Sequence, residues 1–89
     1  MRQPIYKKKF EKDFKRILKR GHDITKLEKV VDTLVQGKKL DKKYLDHALS
    51  GKYADCRECH IEPDWLLIYL IDKEEIVFVR TGSHSDLFG

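Results

Sequence analysis

Apolar residues follow two rhythms along this chain, and the change between them divides it into halves. In the first half, Phe10, Phe14, Ile17 and Leu18 recur at i, i+4, i+7 and i+8, the stripe of an amphipathic helix, and Gly21 stops it. Leu27, Val30, Val31, Leu34 and Val35 form a second stripe that ends at Gly37. Asp23 or Thr25 is placed to cap this helix, and Thr25 with Glu28 matches a capping box. A link this short predicts an antiparallel helical hairpin. Ahead of it, Ile5 to Lys7 can start an edge strand, with Pro4 tolerated at its beginning.

The second half reads as strands. Lys38 to Gly51 is a polar connection holding Tyr44, Leu45, His47 and Leu49. Strands are predicted from Lys52 to Ile61, from Trp65 to Ile71 and from Ile76 to Arg80, with turns at Glu62-Pro63-Asp64 and from Asp72 to Glu74. The run Trp65-Leu66-Leu67-Ile68-Tyr69-Leu70-Ile71 is apolar throughout, the mark of a central strand covered on both faces. Gly82 to Gly89 is expected to be a short tail. The order β-α-α-β-β-β predicts an α+β fold, an antiparallel sheet with the N-terminal helical hairpin on one face. The opposite face is left for function.

Charge sharpens the division. Residues 1–45 carry 15 Lys+Arg against 6 Asp+Glu, a net of +9, whereas residues 46–89 carry 4 against 9, a net of −5. A basic half of this kind suits a phosphate backbone or an acidic protein partner. The 89 residues suffice for one domain, 1–89, and leave no room for a second core. No run approaches the roughly 20 apolar residues of a membrane span, and the basic N-terminus has no apolar stretch of a signal peptide. A cytoplasmic protein without a membrane partner is expected.

Cys56-Arg57-Glu58-Cys59-His60 matches the C-x-x-C-H pattern of c-type haem attachment, but on a strand residues 56 and 59 point to opposite faces. The same parity argues against zinc, which needs convergent ligands, and a reducing compartment argues against a disulfide. The cysteines read as small core residues, and no metal or cofactor is expected.

The histidines carry more. His22 reads as a solvated residue of the inter-helix turn. His60 shares its parity with Cys56 and Glu58, and Asp64 and then Arg80 and His84 follow at strand ends. Hairpin geometry can bring His60, Asp64 and Arg80 to one rim, with His47 and His84 arriving from loops. Such a cluster holds what RNA cleavage through a 2′-hydroxyl requires. An imidazole takes or gives a proton near neutral pH, and a guanidinium steadies the phosphorane. Phe88 and Trp65 are aromatic faces on which a base can stack, although Trp65 also heads an apolar strand and suits the core. No P-loop, G-x-S-x-G or H-E-x-x-H motif is present.

The segments Asp46-His47-Ala48-Leu49-Ser50-Gly51, Arg57 to Tyr69 and Arg80 to Phe88 closely resemble the YafQ branch of RelE-like toxins from bacterial type II toxin–antitoxin modules. The resemblance runs the length of the chain and implies a RelE/ParE-like fold. It implies a ribosome-dependent mRNA endonuclease that cuts the codon in the ribosomal A site. It places acid–base groups at His47, His60, Asp64 and His84, the phosphate-stabilising cation at Arg80, and RNA contacts at Phe88, Trp65 and Arg57. Which histidine is base and which is acid stays open at this point. Implied partners are a cognate antitoxin, mRNA and ribosomal RNA, with operator DNA reached only through the antitoxin complex. Two other readings suit a small basic chain: a non-catalytic toxin of the same scaffold that poisons a target such as gyrase, and a small RNA-binding module.

Overall fold

The computed structural model describes residues 1–89. In chain order the elements are β1 (Gln3–Tyr6), α1 (Lys8–Lys19), α2 (Ile24–Val35), β2 (His47–Ala48), β3 (Arg57–Glu62), β4 (Trp65–Asp72), β5 (Glu75–Gly82) and α3 (His84–Phe88). Single 3-10 turns at Lys42–Tyr44 and Gly51–Tyr53 flank β2. The five strands form one sheet in the order β1-β5-β4-β3-β2.

From β2 to β5 each strand pairs antiparallel with the next, as expected for β3, β4 and β5. β1 does not: it lies parallel to β5, with Gln3 opposite Glu75 and Tyr6 opposite Phe78. The sheet is therefore mixed rather than wholly antiparallel. Almost the whole chain separates these two strands, so no hairpin turn sets their relative direction. Residues 82–89 also depart from the expected tail, because Ser83 and Asp86 form a reciprocal capping box that starts α3. β2 is an unpredicted strand, too short for its pattern to show.

The helical stripes do what their spacing predicts. Phe10 and Ile17 of α1 and Leu27, Val30 and Leu34 of α2 pack on Cys59, Trp65, Leu67, Tyr69, Ile76 and Phe78 of the sheet. Leu18, at the edge of its stripe, is exposed instead. Asp23 caps α2 by accepting from the Thr25 N–H at 3.1 Å, which settles the choice between the two candidates. A smaller cluster of Leu66, Ile68 and Leu87 covers part of the other face, with Leu49, Tyr53, Cys56 and Val79 around it. β4 thus has apolar cover on both sides, as its continuous run requires.

Two bulges break the alternation of inward and outward residues. Ile68 pairs with Arg80 and Tyr69 with Phe78, leaving Val79 as an extra residue in β5. Without it, Arg80 would share the parity of Ile76 and Phe78 and point into the helix-side core. In β3 the extra residue is Ile61, between the pairs His60–Leu66 and Glu62–Trp65. It turns Glu62 towards α2, where Lys26 Nζ donates to its carboxylate at 2.7 Å.

Candidate active site

The face away from the helices carries a row of three imidazoles. β2 supplies His47, opposite Glu58 of β3, and His60 follows two residues along the same side of that strand. His84 arrives as the first residue of α3. The ring centroids of His47 and His60 are 6.0 Å apart, and those of His60 and His84 are 5.8 Å apart. The convergence expected from hairpin geometry is present.

Each end of the row is anchored differently. The Nδ1 of His84 lies 2.6 Å from Asp64 Oδ1, and the same oxygen accepts from the His84 backbone N–H at 2.9 Å. Those bonds hold the Asp64 carboxyl below the usual carboxylate range, the backbone one most strongly, so it is ionised. A carboxylate on Nδ1 keeps the proton there and leaves Nε2 as a free acceptor. At the other end, His47 Nδ1 meets the Leu45 carbonyl at 2.7 Å while its Nε2 meets Glu58 Oε2 at 3.0 Å. Both ring nitrogens of His47 thus lie within hydrogen-bond distance of an oxygen. His60 Nε2 is 3.8 Å from the same Glu58 oxygen.

Glu58 is one residue that the sequence reading left out of the site. It is only 5% exposed, and its Oε1 has no hydrogen-bond partner. Its strand parity, shared with His60, was the available signal. His47, Glu58 and His60 each offer a ligand atom, and these lie within 4.8 Å of one another, so the trio can also close on a metal ion.

Arg80 belongs to a second group on this side of the sheet. Its Nε and Nη2 donate to Asp13 of α1 at 2.6 and 3.0 Å, and Asp13 also accepts from the Thr81 N–H at 3.1 Å. Asp13 is 1% exposed. This side-on clamp raises the Arg80 pKa further above its ordinary value, chiefly through the hydrogen bonds to Asp13. Nη1 is the guanidinium nitrogen that Asp13 does not engage: it donates a long bond to the Tyr53 hydroxyl at 3.4 Å and keeps a second N–H for an anion. Tyr53 in turn meets Phe88 edge-to-face at 5.8 Å, and Phe88 is 51% exposed. α3 joins the two groups, with His84 at its start and Phe88 at its end. Asp86 ties this helix to α1 through Arg20 at 2.6 Å and Arg16 at 3.3 Å. Asp13 and Tyr53 were not singled out from the sequence. For Asp13 a signal existed: an acidic residue at i+3 from Phe10 and i−4 from Ile17 sits within the apolar stripe of its helix.

Two expected RNA contacts fall outside this site. Trp65 is 1% exposed in the helix-side core, where its Nε1 donates to Thr81 Oγ1 at 3.0 Å. His22, expected in solvent, packs edge-on against it with centroids 4.6 Å apart. Heading an apolar strand, Trp65 contributes its area to packing and has no face for a base. Arg57 pairs with Tyr69, whose side chain belongs to the helix-side core, and donates to Asp46 at 2.7 Å. Its odd position puts it on the side of the sheet opposite His60. The cysteines divide as predicted: Cys56 borders the outer cluster, and Cys59 lies in the helix-side core with its thiol pKa pushed up to about 12 by burial.

The family of bacterial toxins of type II toxin–antitoxin systems called YafQ matches residues 2–89. The chain belongs to that family. It is 39% identical over 85 residues to the mRNA interferase toxin YafQ of Escherichia coli K12, covering 94% of this chain and 92% of that one. Among solved structures, YafQ in the E. coli DinJ–YafQ complex superposes with a TM-score of 0.93 at 38% identity, with both chains fully covered. A metal-bound toxin from Helicobacter pylori gives 0.92 at 47% identity, covering 99% of this chain and 100% of that one. These solved relatives thus share the architecture of this chain.

Proposed function

We propose that this YafQ-family toxin is an mRNA interferase, a metal-independent endoribonuclease that cuts mRNA in the ribosomal A site and so stops translation. The observation that carries the reading is the imidazole row. His84 presents a free Nε2 some 5.8 Å, ring to ring, from His60, which stands beside the buried Glu58 carboxyl. One phosphodiester between two such rings has a base on one side and an acid on the other.

The geometry supports the following division of roles. His84, held by Asp64, takes the proton from the ribose 2′-hydroxyl. The 2′-oxygen forms a bond to phosphorus while the bond from phosphorus to the 5′-oxygen breaks. His60 gives a proton to that departing oxygen, and the Glu58 carboxyl beside it, shared with His47, orients its ring. Products are a 2′,3′-cyclic phosphate and a 5′-hydroxyl. Arg80, clamped by Asp13, turns its free edge to the phosphorane oxygens, and preorganised charge of this kind is where much catalytic power lies. Phe88, braced by Tyr53, stacks on a base.

A cognate antitoxin is the expected inhibitor, since the E. coli relative is known in complex with DinJ. Operator DNA would be reached through that complex. No helix is long and apolar enough to cross a membrane, and the proposed site of action is the cytoplasm. A gyrase poison or passive RNA-binding module has no use for the three-imidazole row, which favours the nuclease over both. Primer extension on translated mRNA after brief induction tests the reading. Wild type should give cuts in register with the reading frame, Arg80→Ala should give few or none, and EDTA should leave the in vitro rate unchanged. Growth arrest with intact mRNA would refute it.

A further inference from the structure

His60 has a second side. It lines a groove of about 610 Å³ together with Lys26 and Lys29 of α2, Lys43 and Tyr44 of the turn at Lys42–Tyr44, and Glu62. A smaller depression of about 210 Å³ shares Lys29, Lys43 and Tyr44 and carries the channel on to Lys39. Four lysines thus face one continuous track, against two carboxyls. Glu62 neutralises Lys26 at 2.7 Å, and Asp41 is engaged with the Lys43 backbone N–H at 2.9 Å. The side chains of Lys29, Lys39 and Lys43 are exposed. None of the ion pairs in the structure involves them. None of these lysines reaches the imidazole row, so the mechanism above makes no use of them.

We propose that this groove binds the phosphodiester backbone of an RNA strand, with Lys29 and Lys43 on its phosphates. The proposal rests on the RNA-cleavage reading, because His60 is the residue common to the row and the groove. A strand held between His84 and His60 continues past His60 into a channel where three lysines without an ion-pair partner, Lys29, Lys39 and Lys43, outnumber the one carboxylate without one, Asp41. Phosphate contacts of this type position a strand without reading its sequence. An acidic peptide would also be attracted, but its binding would have no reason to begin at an imidazole of the cleavage row. The RNA has two sources, mRNA entering the site or ribosomal RNA around it, and the same chemistry serves both.

The test compares wild type, the Lys29→Glu/Lys43→Glu variant and the Lys29→Arg/Lys43→Arg variant, with thermal melting as a check on folding. One arm measures binding of a fully 2′-O-methylated RNA oligonucleotide, which cannot be cut, across a salt series. The other two use ribosomes programmed with a 2′-O-methylated A-site codon, or with mRNA truncated before that codon. Charge reversal should weaken binding by at least about tenfold and lower the log–log salt slope by about 1.4, the value for two single-strand phosphate contacts. The arginine variant should stay within about twofold of wild type. A loss seen on the oligonucleotide and on the ribosome only with the codon present assigns the groove to mRNA, whereas equal loss on both ribosomes assigns it to ribosomal RNA. If the charge-reversed protein matches wild type in all arms, or loses only antitoxin affinity, the groove proposal is wrong while the nuclease reading stands. If wild type itself binds none of the probes, both fall.

Discussion

The two faces of one sheet show how the same strands are put to opposite uses. On the helix side, Trp65, Tyr69 and Phe78 are almost fully buried, and a chain from the Trp65 indole N–H through the Thr81 hydroxyl to the Leu66 carbonyl satisfies the polar groups along it. On the other side, His47 and His84 are exposed, and their partners are carboxylates and a carbonyl rather than apolar groups. A side chain on the first face is worth its buried area. On the second, a side chain is worth the proton or charge it can offer.

Substitutions should therefore separate the two faces cleanly. Trp65→Ala empties the helix-side core and should cost about 3–5 kcal/mol, read as a lower denaturation midpoint. His84→Ala should lower single-turnover cleavage by about 10²–10⁴-fold, the range for general acid–base groups, with the midpoint nearly unchanged. A His84 variant that melts early but cuts at full rate would erase the distinction.

Asp13 crosses the divide, because it is a buried residue of α1 yet holds the Arg80 guanidinium. Asp13→Asn keeps the shape but loses the charge, and should lower cleavage by on the order of 10² together with some stability. If it acts through Arg80, the Asp13→Asn/Arg80→Ala double variant should cut no more slowly than Arg80→Ala alone. Multiplying losses would mark Asp13 as a purely structural residue. The smallest effect is electrostatic. Hydrogen bonding from Arg20, and then from Ser83, holds the Asp86 carboxyl well below the usual carboxylate range. Such a group stabilises the fold above the unfolded value near 3.9 and loses that contribution as pH falls through the folded value. Melting between pH 6 and about 2 should therefore show a decline at the acid end that is shallower in Asp86→Asn.

Much of this was legible in the sequence, for definable reasons. The apolar stripes of α1 and α2 and the continuous run of β4 are long periodic signals, and period is what burial writes into a chain. His47, His60, Asp64, Arg80, His84 and Phe88 were named from residue type, order and family motif, and the structure puts all six on the open side. What escaped was what period cannot encode. The extra residue Val79 turns Arg80 outward, and nothing in the alternation announces it. Glu58 and Asp13 are polar residues at buried positions, which a search for exposed chemistry passes over. Trp65 was weighed between base and core, and the hydrogen bond to Thr81 with complete burial decides for the core. The parallel pairing of β1 with β5 links segments too far apart for any local pattern to carry.

The central claim is that imidazoles gathered on the uncovered face break RNA by way of its own sugar hydroxyl. The most direct measurement is cleavage on programmed ribosomes of an mRNA bearing one 2′-deoxy nucleotide immediately 5′ of the cut. The account predicts intact mRNA at that position, with the all-ribose message cut to a 2′,3′-cyclic phosphate. Cleavage of the deoxy message at an undiminished rate would contradict it.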